Sequence, residues 1–294
     1  MNNKPIFVGI GESLFDCFPD GMLLGGAPLN VAYHAHQLAQ VSGGCGVVLS
    51  RIGQDDLGKR LIKELAEKGI CTDFVQVDEM HETGRVDVSF SQDGEPEYQI
   101  AKDVAWDYLE YTEEMALLSQ RIAGVAFGTL ALRSRTSCES ILRFIESTKQ
   151  AIRLYDVNLR PEIDFSIVEK AIIVSNVLKM NEYELPELAR MFSLKASPEA
   201  FVKKFSLKAV VLTRGKRGTV ITTDQEKVEG EAAIFSADHD ADSVGAGDAC
   251  AAGVMYGLAS GWSLQKTVDL ANKCGAYVAG KFGATPTLPV AEMV

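Results

Sequence analysis

Residues 242–253 read DSVGAGDACAAG. Two glycines and an alanine precede Asp248, and a run of small residues follows it toward VMYGLA. That pattern is a loop opening a small-residue helix. Small residues let a ligand approach the backbone, and a helix N-terminus attracts anions. The backbone N–H groups of Gly245, Ala246, Gly247 and Asp248 would form an anion hole suited to a phosphate. Asp248 could then take the proton from a hydroxyl that attacks a phosphoryl group. The competing reading is a plain Asp in a first helical turn, which any helix prefers. At a positive helix end its pKa is expected to be depressed.

Outward from this loop, short apolar runs rich in β-branched residues alternate with helical patterns. IFVGI (6–10), CGVVLSRIG (45–53), IAGVAFGTL (122–130), IRLYDVNLR (152–160), IVSNVLKMN (173–181) and LKAVVLTRG (207–215) read as strands. LNVAYHAHQLAQV (29–41), LGKRLIKELAEKG (57–69), SCESILRFIESTKQA (137–151) and two C-terminal stretches, 246–260 and 264–281, read as helices. Strands alternating with helices imply a largely parallel, doubly wound sheet covered on both faces. TGRVDVSFSQDGEPEYQI (83–100) breaks the rhythm as a hairpin around Gln92–Glu95. We read the chain, 1–294, as a single domain with a small β lid from about 12–26 and 83–102. Val86, Val88 and Phe90 share one side of that hairpin, and Arg85, Asp87 and Ser89 the other. The polar side is expected on the ligand wall, with the apolar side packed or meeting a second copy in a homodimer.

The chain has 47% hydrophobic and 23% charged residues, an ordinary globular composition. Its net charge of −11 argues against nucleic acid or an anionic membrane as partner. No apolar run approaches the roughly 20 residues that span a bilayer, and the N-terminal stretch lacks a signal-peptide pattern. Six dispersed Cys without a CxxC pair read as reduced thiols, hence a cytoplasmic location. The four His show no metal-ligand spacing beyond an i, i+2 pair.

Three further stretches carry polar residues where chemistry needs them. In GGAPLNVA (25–32), Gly25 and Gly26 admit a ligand to the backbone, and Asn30 sits near a helix start. DVNLRP (156–161) puts Asp156, Asn158 and Arg160 on one side of an extended segment. Arg160 could reach a phosphate or a sugar oxygen, or simply be solvated. KMNEYE (179–184) follows an apolar strand. The chain has neither a GxxxxGK[ST] loop nor a GxGxxG fingerprint.

These motifs together resemble the ribokinase-like (PfkB) family of carbohydrate kinases. DSVGAGD is similar to that family's D-T-x-G-A-G-D signature, with Ser243 where Thr is usual, and GGAPLNVA to its sugar-binding motif. GESLFD (11–16), RIGQDDLG (51–58), DVNLRP, KMNEYE, LTRGKRG (212–218) and GATPTLP (283–289) follow in the family's order. The resemblance implies a ribokinase-like fold and transfer of phosphate from ATP to a sugar hydroxyl. It implies that Asp16 and Asn30 hold sugar hydroxyls, with Gly26 lining the pocket. Asn181 and Glu184 would organise a Mg²⁺–phosphate water network. Thr213, Gly215 and Gly218 would lie near the phosphates and ribose, and Asn272 near the adenine. A monovalent cation such as K⁺ would sit beside the anion hole, near Asp242, Val244, Val278, Gly283 and Thr287. Within the family, GESLFD, AWD (105–107) and FGTLALRS (127–134) look most like the fructokinases. The implied reaction is D-fructose to fructose 6-phosphate, with lid selectivity through Phe90 and Tyr98. Kinases of ribose or 2-keto-3-deoxygluconate, and a catalytically silent binder, share the scaffold.

Overall fold

The computed structural model describes residues 4–19, 21–90, 96–160 and 163–294. Its strands are β1 (Ile6–Ile10), β2 (Leu14–Phe18), β3 (Gly21–Gly25), β4 (Cys45–Gly53), β5 (Val75–Asp78), β6 (Gly84–Phe90) and β7 (Pro96–Ile100). They continue as β8 (Gly124–Gly128), β9 (Ile152–Asp156), β10 (Val177–Asn181), β11 (Ala209–Thr213), β12 (Thr219–Thr222) and β13 (Lys227–Gly230). Nine form one sheet in the order β13-β12-β11-β10-β9-β8-β1-β4-β5, and four form a second in the order β3-β2-β6-β7. In the large sheet every pairing from β5 through β11 is parallel. Only the β11–β12 and β12–β13 pairings at one edge are antiparallel.

Apart from the edge strand β5, the parallel strands are largely buried on both faces, so their apolar residues alternate between two cores. Val8, Ile10, Val125, Phe127 and Tyr155 pack with helices Arg135–Ser147, Phe165–Val174 and Pro198–Phe205. Phe7, Ala126 and Leu154 point the other way, toward helices Ala27–Gln40, Ala246–Ala259 and Leu264–Ala279. The small-residue run after Asp248 is explained by this second layer. A Cβ on Gly253 would stand 2.8 Å from Ala271 Cα, so glycine is what lets those two helices meet.

One expected strand boundary fails, and one hairpin lies outside the elements read from the sequence. Residues 173–174 are not strand: helix Phe165–Val174 runs to there, and the strand starts at Val177. Asp164 caps that helix by accepting from the Ser166 N–H at 2.6 Å, and Val168, Ala171 and Ile172 bury its inner face. The β-branched run Ile172–Val174 therefore serves a packed helix, tertiary burial overriding local preference. The β12–β13 hairpin has no counterpart in a strictly alternating reading. Gly218, at φ +73°, turns the chain back against β11.

The second sheet stands off the first and includes both segments expected to form the lid. Strands β2 and β6 are parallel neighbours, with Asp16 opposite Val86. Leu14, Val86 and Val88 form a small apolar cluster with Phe18 and Ile100. The side chains of Phe90 and Tyr98 lie outside the described residues. Among the described residues no helix is long and apolar enough to cross a membrane.

Candidate active site

Polar side chains gather just past the carboxyl ends of the central parallel strands, where open α/β sheets bind ligands. Glu12 follows β1, Asp156 ends β9, Asn181 ends β10 and Thr213 ends β11. A cavity of about 640 Å³ opens there between the two sheets. Asp16, Gly26, Asn30, Arg160, Asn181, Glu184, Thr213, Asp242, Val244, Gly245, Gly247 and Asp248 all line it. Gly25 stands behind that wall, where a Cβ would meet Asp16 Oδ2 at 2.6 Å. A second cavity of about 690 Å³ adjoins the first. It is lined by Thr213, Gly215, Gly218, Ala246, Gly247 and Asn272, and it shares Thr213 and Gly247 with its neighbour.

The loop before Asp248 is shaped by its surroundings. Gly245 caps helix Ala246–Ala259 at φ +77°, and a Cβ there would lie 2.7 Å from Ala284. Ala284 is itself fixed, since its carbonyl pairs with His34 Nε2 at 2.9 Å on the neighbouring helix. Burial lowers the His34 pKa to about 4, so this imidazole is neutral and can donate to that carbonyl. Asn30 Nδ2 donates to Asp248 Oδ2 at 2.8 Å. Asn30 is thus turned inward, onto the carboxylate.

The expected depression of the Asp248 pKa is reversed. Burial pushes this carboxyl up to about 7, and the charge of Asp156 adds to the effect. The Asn30 amide, Lys179 and Arg160 pull it down, but not far enough. Loss of solvation outweighs the helix-end field here even though Asp248 stands in the first helical turn, because the carboxyl is buried. Asp16 is raised to about 6, by burial first and then by Asp242.

The lid wall is the other correction. Val86 and Val88 face the cavity with Leu14, Leu23 and Ile100, whereas Arg85 and Asp87 are exposed on the outer side and pair there at 3.5 Å. Of the polar residues expected on the ligand wall, Arg85 and Asp87 face solvent instead, and the side chain of Ser89 lies outside the described residues. An apolar inner wall excludes water from whatever lies beneath it.

The remaining candidates are held as follows. Glu184 accepts from Asn181 N–H at 2.7 Å and Leu159 N–H at 3.0 Å, so its carboxylate is fixed beside the cavity. The side-chain oxygen of Asn181 accepts from the Tyr183 and Glu184 N–H groups. Asn272 donates to Glu231 O at 2.8 Å and so ties down a wall of the second cavity. Asp242 accepts from the Val244 and Gly283 N–H groups and closes its own loop. Val278 is buried in the core, its carbonyl accepting from Lys281 N–H, and Thr287 is exposed. Among the described residues no cluster of three His, Cys, Asp or Glu could hold a metal by itself.

Glu12, Asp156 and Lys179 are among the cavity residues quoted in motifs without being given a role. Glu12 is 3% exposed, its Oε2 has no hydrogen-bond partner, and burial raises it to about 7. Asn30 Oδ1 and Arg160 Nε are likewise buried and unpartnered. Lys179 and Asp156 are register neighbours on β10 and β9 and pair at 2.6 Å. A cation inside the apolar run VLKMN was the signal available for Lys179.

This arrangement places the molecule among ligand-handling, doubly wound α/β proteins. The sequence pattern of the pfkB family carbohydrate kinases matches residues 19–291, and the chain belongs to that family. It is 28% identical to a probable fructokinase-3 of Arabidopsis thaliana, over 97% of this chain and 89% of that protein. It is 27% identical to a fructokinase of Salmonella typhimurium, over 98% and 97%. Among solved structures, a fructokinase with bound ATP from Xylella fastidiosa superposes with TM-score 0.86 at 23% identity, covering 99% and 98%. A putative ribokinase II from E. coli gives 0.84 at 20%, covering 99% and 97%. A Vibrio cholerae fructokinase with bound fructose, ADP and potassium ion gives 0.79 at 23%, covering 99% and 98%. The fold is therefore ribokinase-like.

Proposed function

We propose that this carbohydrate kinase phosphorylates D-fructose, giving fructose 6-phosphate, with ATP as donor. The observation that carries the reading is Asp248: a carboxyl raised to about 7, bonded to Asn30, and facing one cavity while its loop borders the next. A base poised near neutral pH suits proton removal from an alcohol. The sugar would occupy the first cavity, its hydroxyls on Asp16 and Asn30, and the nucleotide the second. The hydroxyl oxygen bonds to the γ-phosphorus, the bond from that phosphorus to the β–γ bridging oxygen breaks, and ADP leaves with the electron pair. Asp248 takes the hydroxyl proton. The N–H groups at 245–248 stabilise charge on the transferring group.

Magnesium, bound with the triphosphate, would neutralise phosphate charge. The donor set fits that use, because Mg²⁺ keeps several waters and takes few protein ligands. Glu184 and Asn181 would hold its waters. A potassium ion would sit beside the loop closed by Asp242, near Val244 and Gly283.

Fructose is favoured over other sugars because relatives covering nearly the full chain are named fructokinases. An ADP-release assay over fructose, ribose, glucose and 2-keto-3-deoxygluconate tests this. Fructose should give the highest kcat/KM. A higher value for another sugar overturns the fructose assignment, and no ADP release with any of them overturns the kinase reading.

A further inference from the structure

Strand β10 reads Val177, Leu178, Lys179, Met180 and Asn181, and its first four residues are all buried. One of those four is a lysine, only 6% exposed. A buried charge needs a partner, and even a paired one is commonly no more stabilising than an apolar pair of the same volume. The Asp156 carboxylate, its register neighbour, supplies the partner at 2.6 Å. Burial works against the charge of Lys179, but Asp156 outweighs it and keeps the ammonium protonated.

An ammonium has three N–H donors. Among the described residues, Asp156 is the single hydrogen-bond partner of Lys179 Nζ, and Lys179 lines the sugar-side cavity. The direction of the free donors follows from Gly247. A Cβ built on that residue would lie 3.6 Å from Lys179 Nζ, and, its chain neighbours and own helix backbone aside, no other described atom comes within 4 Å of it. The ammonium therefore faces the anion-hole loop at a residue that borders both cavities. The absence of a side chain at Gly247 leaves that approach open.

We propose that Lys179 is a further catalytic residue, a fixed positive charge that contacts the transferring phosphoryl group where the two cavities meet, and that Asp156 is the positioning residue that holds it there. The inference rests on the kinase reading. While the acceptor oxygen bonds to phosphorus and the bridging oxygen departs with its electron pair, Lys179 stabilises the phosphoryl oxygens without gaining or losing a proton. The hydroxyl proton still goes to Asp248.

The test uses three variants of the full chain: Lys179→Met, Lys179→Arg and the double variant Lys179→Met with Asp156→Leu. The double variant removes the buried charges together, so it keeps the test open if Lys179→Met alone fails to fold. ADP release gives kcat and KM, and calorimetry gives affinities for ADP and for a non-hydrolysable ATP analogue. The folded methionine variants should lose about 10²–10³ in kcat, the usual worth of one preorganised donor. Sugar KM and ADP affinity should stay within about threefold, while affinity for the triphosphate analogue falls about tenfold, a single charge-assisted contact. Lys179→Arg should recover part of kcat. A folded double variant within tenfold of wild-type kcat overturns the proposal, as does a loss of ADP affinity equal to the loss for the analogue. Wild-type protein that releases no ADP overturns the kinase reading and this role with it. An active wild type beside a near-normal double variant overturns the role alone.

Discussion

At the scale of single residues, the proposed chemistry rests on Asp248 and its neighbours. With a carboxyl raised to about 7, the fraction of Asp248 able to accept a proton falls as pH drops through 7. The acid limb of the kcat/KM profile should therefore lie near pH 7, well above the ordinary Asp range. A profile flat down to pH 5 would exclude a raised base. Asp248→Asn should keep the fold and cost about 10²–10⁴ in kcat. Retention of most of the wild-type turnover would remove Asp248 from its role. The stability sign is equally definite. A carboxyl whose folded pKa lies above its unfolded one binds the extra proton in the fold, so its stabilisation is complete below about pH 4 and lost as pH rises toward 7. Asp248→Asn cannot ionise, so its melting temperature relative to wild type should rise from pH 5 to pH 8.

At the scale of elements, two close approaches fix the site. Helix Ala246–Ala259 meets helix Leu264–Ala279 through Gly253, and its N-terminus meets Ala284 through Gly245. Gly253→Val would overpack the helix contact and should destabilise the protein by about 1–3 kcal/mol in urea titration. An unchanged urea midpoint would mean that the helices separate freely. Gly245→Val meets both a positive φ and a neighbour at 2.7 Å, at the proposed anion hole. It should lower phosphate transfer by about 10²-fold while calorimetric sugar affinity changes little. A large loss of sugar affinity would assign the loop to the sugar cavity. The lid presents Val86 and Val88 to the cavity, so sugar should slow hydrogen exchange in Gly84–Phe90 and up to Ile100 more than in β8 or β9. Unchanged exchange in the lid with protection elsewhere would rule out closure over the sugar.

Across the whole molecule, the two cavities draw on different parts of the chain. The first cavity gathers residues from Glu12 to Ala284, while the adjoining one uses only residues from Thr213 to Gly280. Both ligands should bind the folded state alone and raise its melting temperature. At a hundredfold excess over Kd each contributes about 2.7 kcal/mol, or several degrees. A nucleotide that raises the melting temperature while fructose at high concentration does not would mark the first cavity as holding something else.

Much of this was legible in the sequence, for local reasons. Alternation of apolar strands and amphipathic helices is written into neighbouring residues, and it determined the parallel sheet and the stand-off hairpin. The glycines and Asp248 lie within a few residues of one another, so the helix-end loop was readable without a third dimension. Tertiary structure decided what depends on distant partners. Burial in the packed fold, with the charge of Asp156 beside it, turned a helix-end carboxylate from a depressed pKa to a raised one, against the pull of Asn30, 218 residues away. Packing on the core made Phe165–Val174 a helix despite its β-branched end. The direction of the lid, apolar side inward, followed from which sheet face met the cavity, and strict alternation is symmetric between the two choices. Lys179 and Asp156 stand 23 residues apart and become neighbours only through strand register. Period and composition identify elements; the solvation and the partners of a side chain exist only once those elements are packed.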